Sequence, residues 1–478
     1  MSVRGPLSPG RLLRAFRTIC DVCLEDVPGE LRIQGEEVYH HKLCPTHGDR
    51  RWLISRNGDL YARYDRHYHT LFPVEEAPPV PIDTHVYITN SCNQGCDYCA
   101  AEANRYEYFG DFEPAELEKR LKSYRGAKIS LVGGEPLRHP RFFEFVKAIE
   151  KAGKTTVVFT NGIAFSDEAA VRRLMEVSRS RCEVRMTFEG FAARAYDHLP
   201  VPNLLETKLA ALGNFRKYGT PVTLGHTISP AEQHDKKRAR EEMRSIMEFG
   251  MRERFARGLT FRSLAALGGT RHLAPEEVLS VDQVMDEVAA ASPVPIRRRD
   301  AYLSQRLVNV MARIFGLPSC EYVQTAVLFQ RGGQWVGLDH FFDCDRLERR
   351  LDERIGRWPV TRIGLLAAFL VDLLASARPA RVPALIGLGL GVLPMFTNRF
   401  DFASIPAGIL PLNASTVCDR HNLDSSVARR CEKIVLSQVG GDVVKETTSQ
   451  MAVRYLRLRT WPQAAHTPPG VSAGDGPP

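Results

Sequence analysis

A chain of 478 residues, 44% hydrophobic and 25% charged, has the make-up of a globular protein and is long enough for two or three domains. Its 64 basic against 56 acidic residues leave a formal charge of +8, a mild bias that admits an anionic ligand or surface; no aromatic-basic strip or base-reading motif accompanies it, so nucleic acid is not expected as a partner. The 11 cysteines are odd in number and fall into two tight groups plus singles, which is metal-site usage in a reducing compartment and not a secreted disulfide framework.

Residues 1–75 read as a small cysteine module. Arg4, Arg11, Arg14 and Arg17 have no apolar run behind them, so no signal peptide is read there. Cys20-Asp21-Val22-Cys23, a β-like stretch with turns at Gly29 and Gly35, and Cys44-Pro45-Thr46-His47-Gly48 have the layout of a ribbon or rubredoxin-like knuckle. In such a module two loops clamp one metal tetrahedrally. Cys20, Cys23 and Cys44 are ligand candidates, and the fourth is His47, His40 or His41, with position in the second loop favouring His47. Ligand type alone leaves iron and zinc both open. The bland alternative is a surface hairpin with idle thiols. A proline-rich stretch from Phe72 to Pro81 then marks a linker.

From 82 to 270 strand-like and helix-like segments alternate. Strands are expected near 84–89, 128–132, 155–160, 183–188, 221–228 and 259–263, with helices near 114–123, 140–152, 167–178, 203–217 and 232–249. That succession is an α/β core with a parallel sheet. Sites in such cores gather at the C-terminal strand ends. Those ends are the cysteine loop after His85–Thr89, Gly133-Gly134-Glu135-Pro136, Thr160-Asn161-Gly162, Thr187-Phe188-Glu189-Gly190, and Thr227 with Ser229.

The cysteine loop reads Cys92-Asn93-Gln94-Gly95-Cys96-Asp97-Tyr98-Cys99. A zinc site usually draws on two separated pairs, and a redox pair needs only two thiols. Three thiolates from one loop suit a four-iron cluster with one iron left open; the alternative is a zinc knuckle or reduced core thiols. The glycines after the apolar run Ile129–Val132 let backbone approach a ligand closely, although a plain turn uses the same residues. Asn161 is as compatible with an ordinary turn as with a ligand contact. Glu189 can accept bonds from ribose hydroxyls or cap the next segment.

The last third, 271–462, loses this rhythm. A helix is expected over Ala274–Ala291, and Arg297-Arg298-Arg299 reads as a solvated charge run. The apolar runs 364–377 and 384–396 fall short of the ~18–20 apolar residues of a spanning helix, and their default reading is core helices. Cys320, Cys344, Cys418 and Cys431 could supply an auxiliary cluster or serve as small core residues; their dispersal provides no shared loop. Residues 463–478 have a disordered composition.

The spacing CxxxCxxC with Tyr98 before the third cysteine, followed by the GGEP loop, resembles the radical S-adenosylmethionine (SAM) superfamily. With the CxxC…CPxHG module in front, the chain from about 18 to 460 is similar to the tetraether lipid synthases and related class D radical SAM methylases. Phe188-Glu189-Gly190-Phe191, Leu204-Leu205-Glu206-Thr207-Lys208 and His421-Asn422-Leu423-Asp424 fit that branch, whereas Glu321–Thr325 and Val444–Met451 lack cysteines that its members tend to carry. The resemblance implies a partial (β/α)6 barrel with an N-terminal ribbon and a mainly helical C-terminal region. It implies a 4Fe–4S cluster on Cys92, Cys96 and Cys99. SAM would lie against Tyr98, Gly133, Gly134, Glu135, Asn161 and Glu189, with an iron or zinc ion in the ribbon. Reductive cleavage of SAM, with an electron donor such as a flavodoxin or ferredoxin, would give a 5′-deoxyadenosyl radical that takes hydrogen from an unactivated C–H bond. The implied outcome is methylation or C–C bond formation on a lipid-like substrate; the alternative is a peptide or small molecule. A non-catalytic iron–sulfur redox protein would not need the GGEP loop. The expected location is the cytoplasm, including the surface of a membrane.

Overall fold

Alternating apolar and polar residues build the first sheet. In the computed structural model β1 (Arg11–Ile19), β2 (Asp26–Gln34), β3 (Glu37–Cys44) and β4 (Gly48–Ser55) form an antiparallel meander in sequence order. Its first and third turns therefore lie at the same end, which is where Cys20, Cys23, Cys44 and His47 are found. Helix α1 (Gly58–Leu71) follows, started by Asn57, whose side chain accepts from the Leu60 N–H at 3.2 Å. The structure describes residues 10–457 apart from 74–82, 105–108, 125, 229–231, 233–234, 318, 398–403, 426–430, 432 and 440–441. The expected linker lies largely outside the described residues, as do Ser229 and the whole 463–478 tail.

Six parallel strands then succeed one another in spatial as well as sequence order: β5 (Asp83–Thr89), β6 (Lys128–Gly133), β7 (Thr155–Thr160), β8 (Cys182–Thr187), β9 (Val222–Thr227) and β10 (Ala256–Arg262). Between them run α2 (Pro114–Leu121), α3 (Phe142–Lys151), α4 (Glu168–Val177), α5 (Leu204–Tyr218) and α6 (Lys236–Arg252). Apolar residues on one strand face, among them Val86, Leu131, Val184, Leu224 and Phe261, join Phe145, Leu174, Phe215 and Met243 of the helices in one core. The opposite face is polar, and some of its groups bond to one another. Ser130 donates to Asp83 at 2.6 Å, and Glu183 accepts from Arg185 at 2.9 Å and Thr223 at 3.3 Å. This is the strand order of a partial (β/α)6 barrel.

The C-terminal third extends the sheet at both edges. β13 (Ile409–Ser415) runs parallel to β10, and β14 (Lys433–Val439) runs parallel to β5. β11 (Val323–Arg331) and β12 (Gln334–Val336) continue antiparallel beyond β13, and β15 (Asp442–Thr447) beyond β14, giving eleven strands. No strand is expected here from sequence, because Pro411 and Asn413 lie inside β13. Helices still dominate the region: α7 (Val281–Ala291), α8 (Arg298–Phe315), α9 (Cys344–Glu353), α10 (Arg362–Ser376), α11 (Val382–Thr397) and α12 (Thr448–Arg457).

Three local expectations change. The helix expected from Ala274 begins at Val281, because Ser280 and Gln283 form a capping box there. The arginine run opens α8, and Arg298 is ion-paired with Asp286 and Asp282 instead of lying free on a solvated face. The two apolar runs are helices with only one face packed, since Leu365 and Phe369 are buried but Ile363 is 83% exposed. Among the described residues no helix is long and apolar enough to cross a membrane.

Candidate active site

The cysteine loop leaves β5 and is held from several sides. Asn104 accepts from the Cys92 N–H at 2.8 Å and donates to the Cys92 carbonyl at 3.1 Å. Gln94, itself buried, donates to Cys96 Sγ at 3.0 Å. Behind the loop lie Gly268 and Gly269: a Cβ on the first would come within 2.5 Å of the Ala100 carbonyl oxygen, and on the second within 2.7 Å of that of Asp97. Only glycines allow this approach. The sequence reading passed over this brace, although Gly268-Gly269 after a strand was its visible signal.

The three thiols and the ribbon's ligands differ in a way that bears on what each can hold. A tetrahedral ion at zinc–sulfur bond length sets its sulfurs about 3.8 Å apart. In the ribbon Cys23 Sγ lies 3.8 Å from Cys44 Sγ, and His47 Nδ1 lies 3.4 Å from Cys44 Sγ and 3.6 Å from Cys20 Sγ. Those four donors form a single-ion set. His40 instead packs on Phe16, and His41 bonds to Gln34 and Asp49, so neither reaches the thiols. Cys92, Cys96 and Cys99, all on the one loop after β5, are half-buried thiols. Burial pushes all three thiols up, Cys96 to about 12, so their thiolate forms would need the positive charge of the irons they bind. In the ribbon burial opposes ionisation, yet backbone N–H groups and the His47 ring bring Cys44 down to about 6.

Gly133 and Gly134 follow β6 and face the start of the cysteine loop. A Cβ on Gly133, at φ +142°, would lie 2.1 Å from the Thr89 carbonyl oxygen, and one on Gly134 would lie 2.4 Å from that of Ser91. Glu135 is 1% exposed, and burial raises its carboxyl to about 7. It accepts from the Asn161 N–H at 2.7 Å, the Thr160 hydroxyl at 2.9 Å and the Leu137 N–H at 3.3 Å. Glu135 thus ties the GGEP loop to the Thr160–Gly162 turn. Asn161 completes the circuit, donating to Asn93 Oδ1 at 2.8 Å and lying 4.0 Å from Cys92 Sγ.

Glu189, at the end of β8, is buried against a residue to which the sequence reading gave no role. Lys208 of α5, fully buried, donates to Glu189 at 2.8 Å and to the Thr187 carbonyl at 2.7 Å. The Tyr98 hydroxyl donates to the other Glu189 oxygen at 3.4 Å, and the Tyr98 ring lies 5.6 Å from that of His198. The GGEP and Asn161 turns and the Tyr98–Glu189–Lys208 group therefore meet the cysteine loop from its two flanks. Arg262, at the end of β10, has no carboxylate partner among the described residues and extends toward Gly225 on the polar face. Of the dispersed cysteines, Cys344 packs among Phe341 and Leu347, and Cys418 packs with Ile19 and Leu423, in separate apolar clusters.

The profile of the radical SAM superfamily matches residues 86–242, and that of the HMPTM N-terminal zinc ribbon domain matches residues 12–56. The chain carries a radical SAM domain behind a zinc ribbon. The 7,8-dihydro-6-hydroxymethylpterin dimethyltransferase of Methanocaldococcus jannaschii is 22% identical over 87% of this chain and 89% of its own length. An AdoMet-dependent heme synthase of Nitratidesulfovibrio vulgaris is 25% identical, over 31% of this chain and 40% of its own length. A crystal structure of Streptococcus suis SuiB aligns at TM-score 0.37 and 13% identity, covering 57% of this chain and 69% of that one. A radical SAM domain implies a 4Fe–4S cluster, SAM and a reductant, and the ribbon implies a further metal ion. The protein is an enzyme, as are the relatives it resembles.

Proposed function

We propose that this enzyme methylates its substrate, or joins a carbon to it, at an unactivated C–H position. The observation that carries this reading is the pterin dimethyltransferase, to which the chain is similar across nearly its whole length, ribbon included. A bound 4Fe–4S cluster with SAM supplies one-electron cleavage of the sulfonium and a hydrogen-abstracting 5′-deoxyadenosyl radical. Cys92, Cys96 and Cys99 would hold the cluster. The Gly133–Glu135 loop and Asn161 would bound SAM on one side, and Tyr98 with Glu189 on the other. Lys208 neutralises Glu189 and fixes its direction, so that its hydrogen-bonding capacity is aimed before any ligand arrives. Burial of Glu135 and Gln94 shields these two side chains from bulk water.

Two substrate classes follow from the sequence resemblance, lipid-like molecules and polar small molecules or peptides. Arg262, which has no carboxylate partner among the described residues, supports the second, because an alkyl chain beside it would leave its charge unsolvated. The relative's pterin belongs to that polar class. A flavodoxin or ferredoxin is the proposed electron donor. The test is anaerobic reconstitution followed by reduction and assay of 5′-deoxyadenosine. Wild type should form it, and the Cys92→Ala, Cys96→Ala, Cys99→Ala triple variant should not; equal cleavage by the two proteins overturns the reading.

A further inference from the structure

Among the described residues, most of the exposed large apolar side chains lie far along the chain from the cysteine loop. Helix α10 carries Ile363, Leu366, Leu370 and Leu374 at spacings of three and four, all exposed, so they form one outward stripe. Helix α11 adds Ile386 and Leu390, the latter 67% exposed. The inner faces rest on a common core: Leu373 of α10 and Ala384, Leu385 and Leu388 of α11 all pack against one cluster. Exposed single leucines are ordinary, but a whole helix face of them is not, because each removed from water is worth about 1.5–3 kcal/mol.

The charges around this face choose its partner. From Ile355 to Thr397 the only carboxylate is Asp372, and it is turned inward, held by Arg350 at 2.9 Å and Arg354 at 2.8 Å. Over the same span Arg357, Arg362, Arg378 and Arg381 are exposed, and among the described residues none pairs with a carboxylate. Arg362 opens α10, and Arg378 and Arg381 flank the turn into α11. A second copy docked by a two-fold axis would bring these arginines against the same unpaired cations. Anionic headgroups would neutralise them while acyl chains cover the leucines. The helices have 15 and 16 residues, about 23 Å; that is too short to span a bilayer but suits lying in its surface.

We propose that the α10–α11 face is a docking surface for a membrane containing anionic lipid. The full chain should cosediment with vesicles of phosphatidylcholine mixed with phosphatidylglycerol, less so as salt is raised, and only weakly with phosphatidylcholine alone. Leu370→Gln with Leu390→Gln should cut the bound fraction at least about tenfold. Arg362→Gln with Arg381→Gln should weaken binding to the mixed vesicles about fivefold for each arginine. All four positions are exposed, so the melting temperature should hold; should the leucine pair lower it, the arginine pair decides alone. No sedimentation with either vesicle overturns the proposal, as does equal binding to both. It is also overturned if the chain is a dimer in solution that the leucine substitutions dissolve without affecting vesicle binding. SAM cleavage plays no part in these readouts, so they stand apart from the proposed reaction.

Discussion

Lys208 and Glu189 show how a single pair can set a site. Neither has solvent to fall back on, since Lys208 is 0% exposed and Glu189 4%. Breaking a buried pair leaves the remaining charge uncompensated, which costs about 3–5 kcal/mol. Lys208→Met should therefore destabilise the protein by that amount in denaturant titration, whereas Lys208→Met combined with Glu189→Gln should recover most of it. A neutral single variant would show that water reaches the pair. Glu135 works through geometry instead. Its oxygens engage three donors, two of them main-chain N–H groups, so Glu135→Ala should cost about 2–4 kcal/mol. By freeing the Asn161 turn it should also weaken SAM binding, measured by calorimetry on reconstituted protein; unchanged affinity would separate that turn from the SAM site.

At the scale of elements, the ribbon is both a metal site and a wall of the barrel. Trp52 of β4 is buried with Leu264 and Leu273, Tyr98 of the cysteine loop packs on the same cluster, and the Trp52 indole donates to the Pro275 carbonyl at 3.0 Å. A four-stranded meander this small should depend on a bound metal for stability. Cys23→Ser with Cys44→Ser should release about one metal ion per chain and shift tryptophan emission to the red as Trp52 meets water. Full retention of metal would assign it to other residues. The alternating β/α segments and the ligand spacings were legible because each depends on a local period or a local loop. What stayed hidden depends on distant partners. β11 and β13 are read as strands only once they pair with each other and with β10, and Lys208 looks like an ordinary helix-face lysine until β8 turns Glu189 toward it. His47 could be preferred over His40 and His41 by position, but only the pairing of β3 with β4 puts the other two on strands away from the thiols. The exposed face of α10 was read as core because an apolar stripe carries no mark of which side will be covered.

Across the whole molecule, the modules are joined by buried charge. Arg14 of β1 reaches Asp65 of α1 at 3.4 Å, Glu321 before β11 at 3.7 Å, and Asp424 beyond β13. His69 lies 2.8 Å from Glu321 on the same cluster. Close by, Thr18 donates to the Leu423 carbonyl at 2.6 Å and His421 meets the Leu273 carbonyl at 3.0 Å, so the His421–Asp424 segment pins ribbon to barrel. Without Arg14 these three carboxylates would face one another uncompensated. Arg14→Met should lower stability by about 3–5 kcal/mol at neutral pH. The pH dependence has a definite sign. Burial already holds the Asp65 carboxyl above its ordinary value, with Arg14 opposing that rise. Removing Arg14 lifts it further, so the folded variant takes up protons at a higher pH than the unfolded chain does. Its stability must then increase, relative to wild type, as pH falls from neutral toward the usual carboxylate range. Denaturant titrations of both proteins at neutral and mildly acidic pH measure this. A deficit that stays constant with pH would mean that Arg14 acts by packing on Phe16, over whose ring its guanidinium lies at 5.1 Å, and not by balancing the carboxylates.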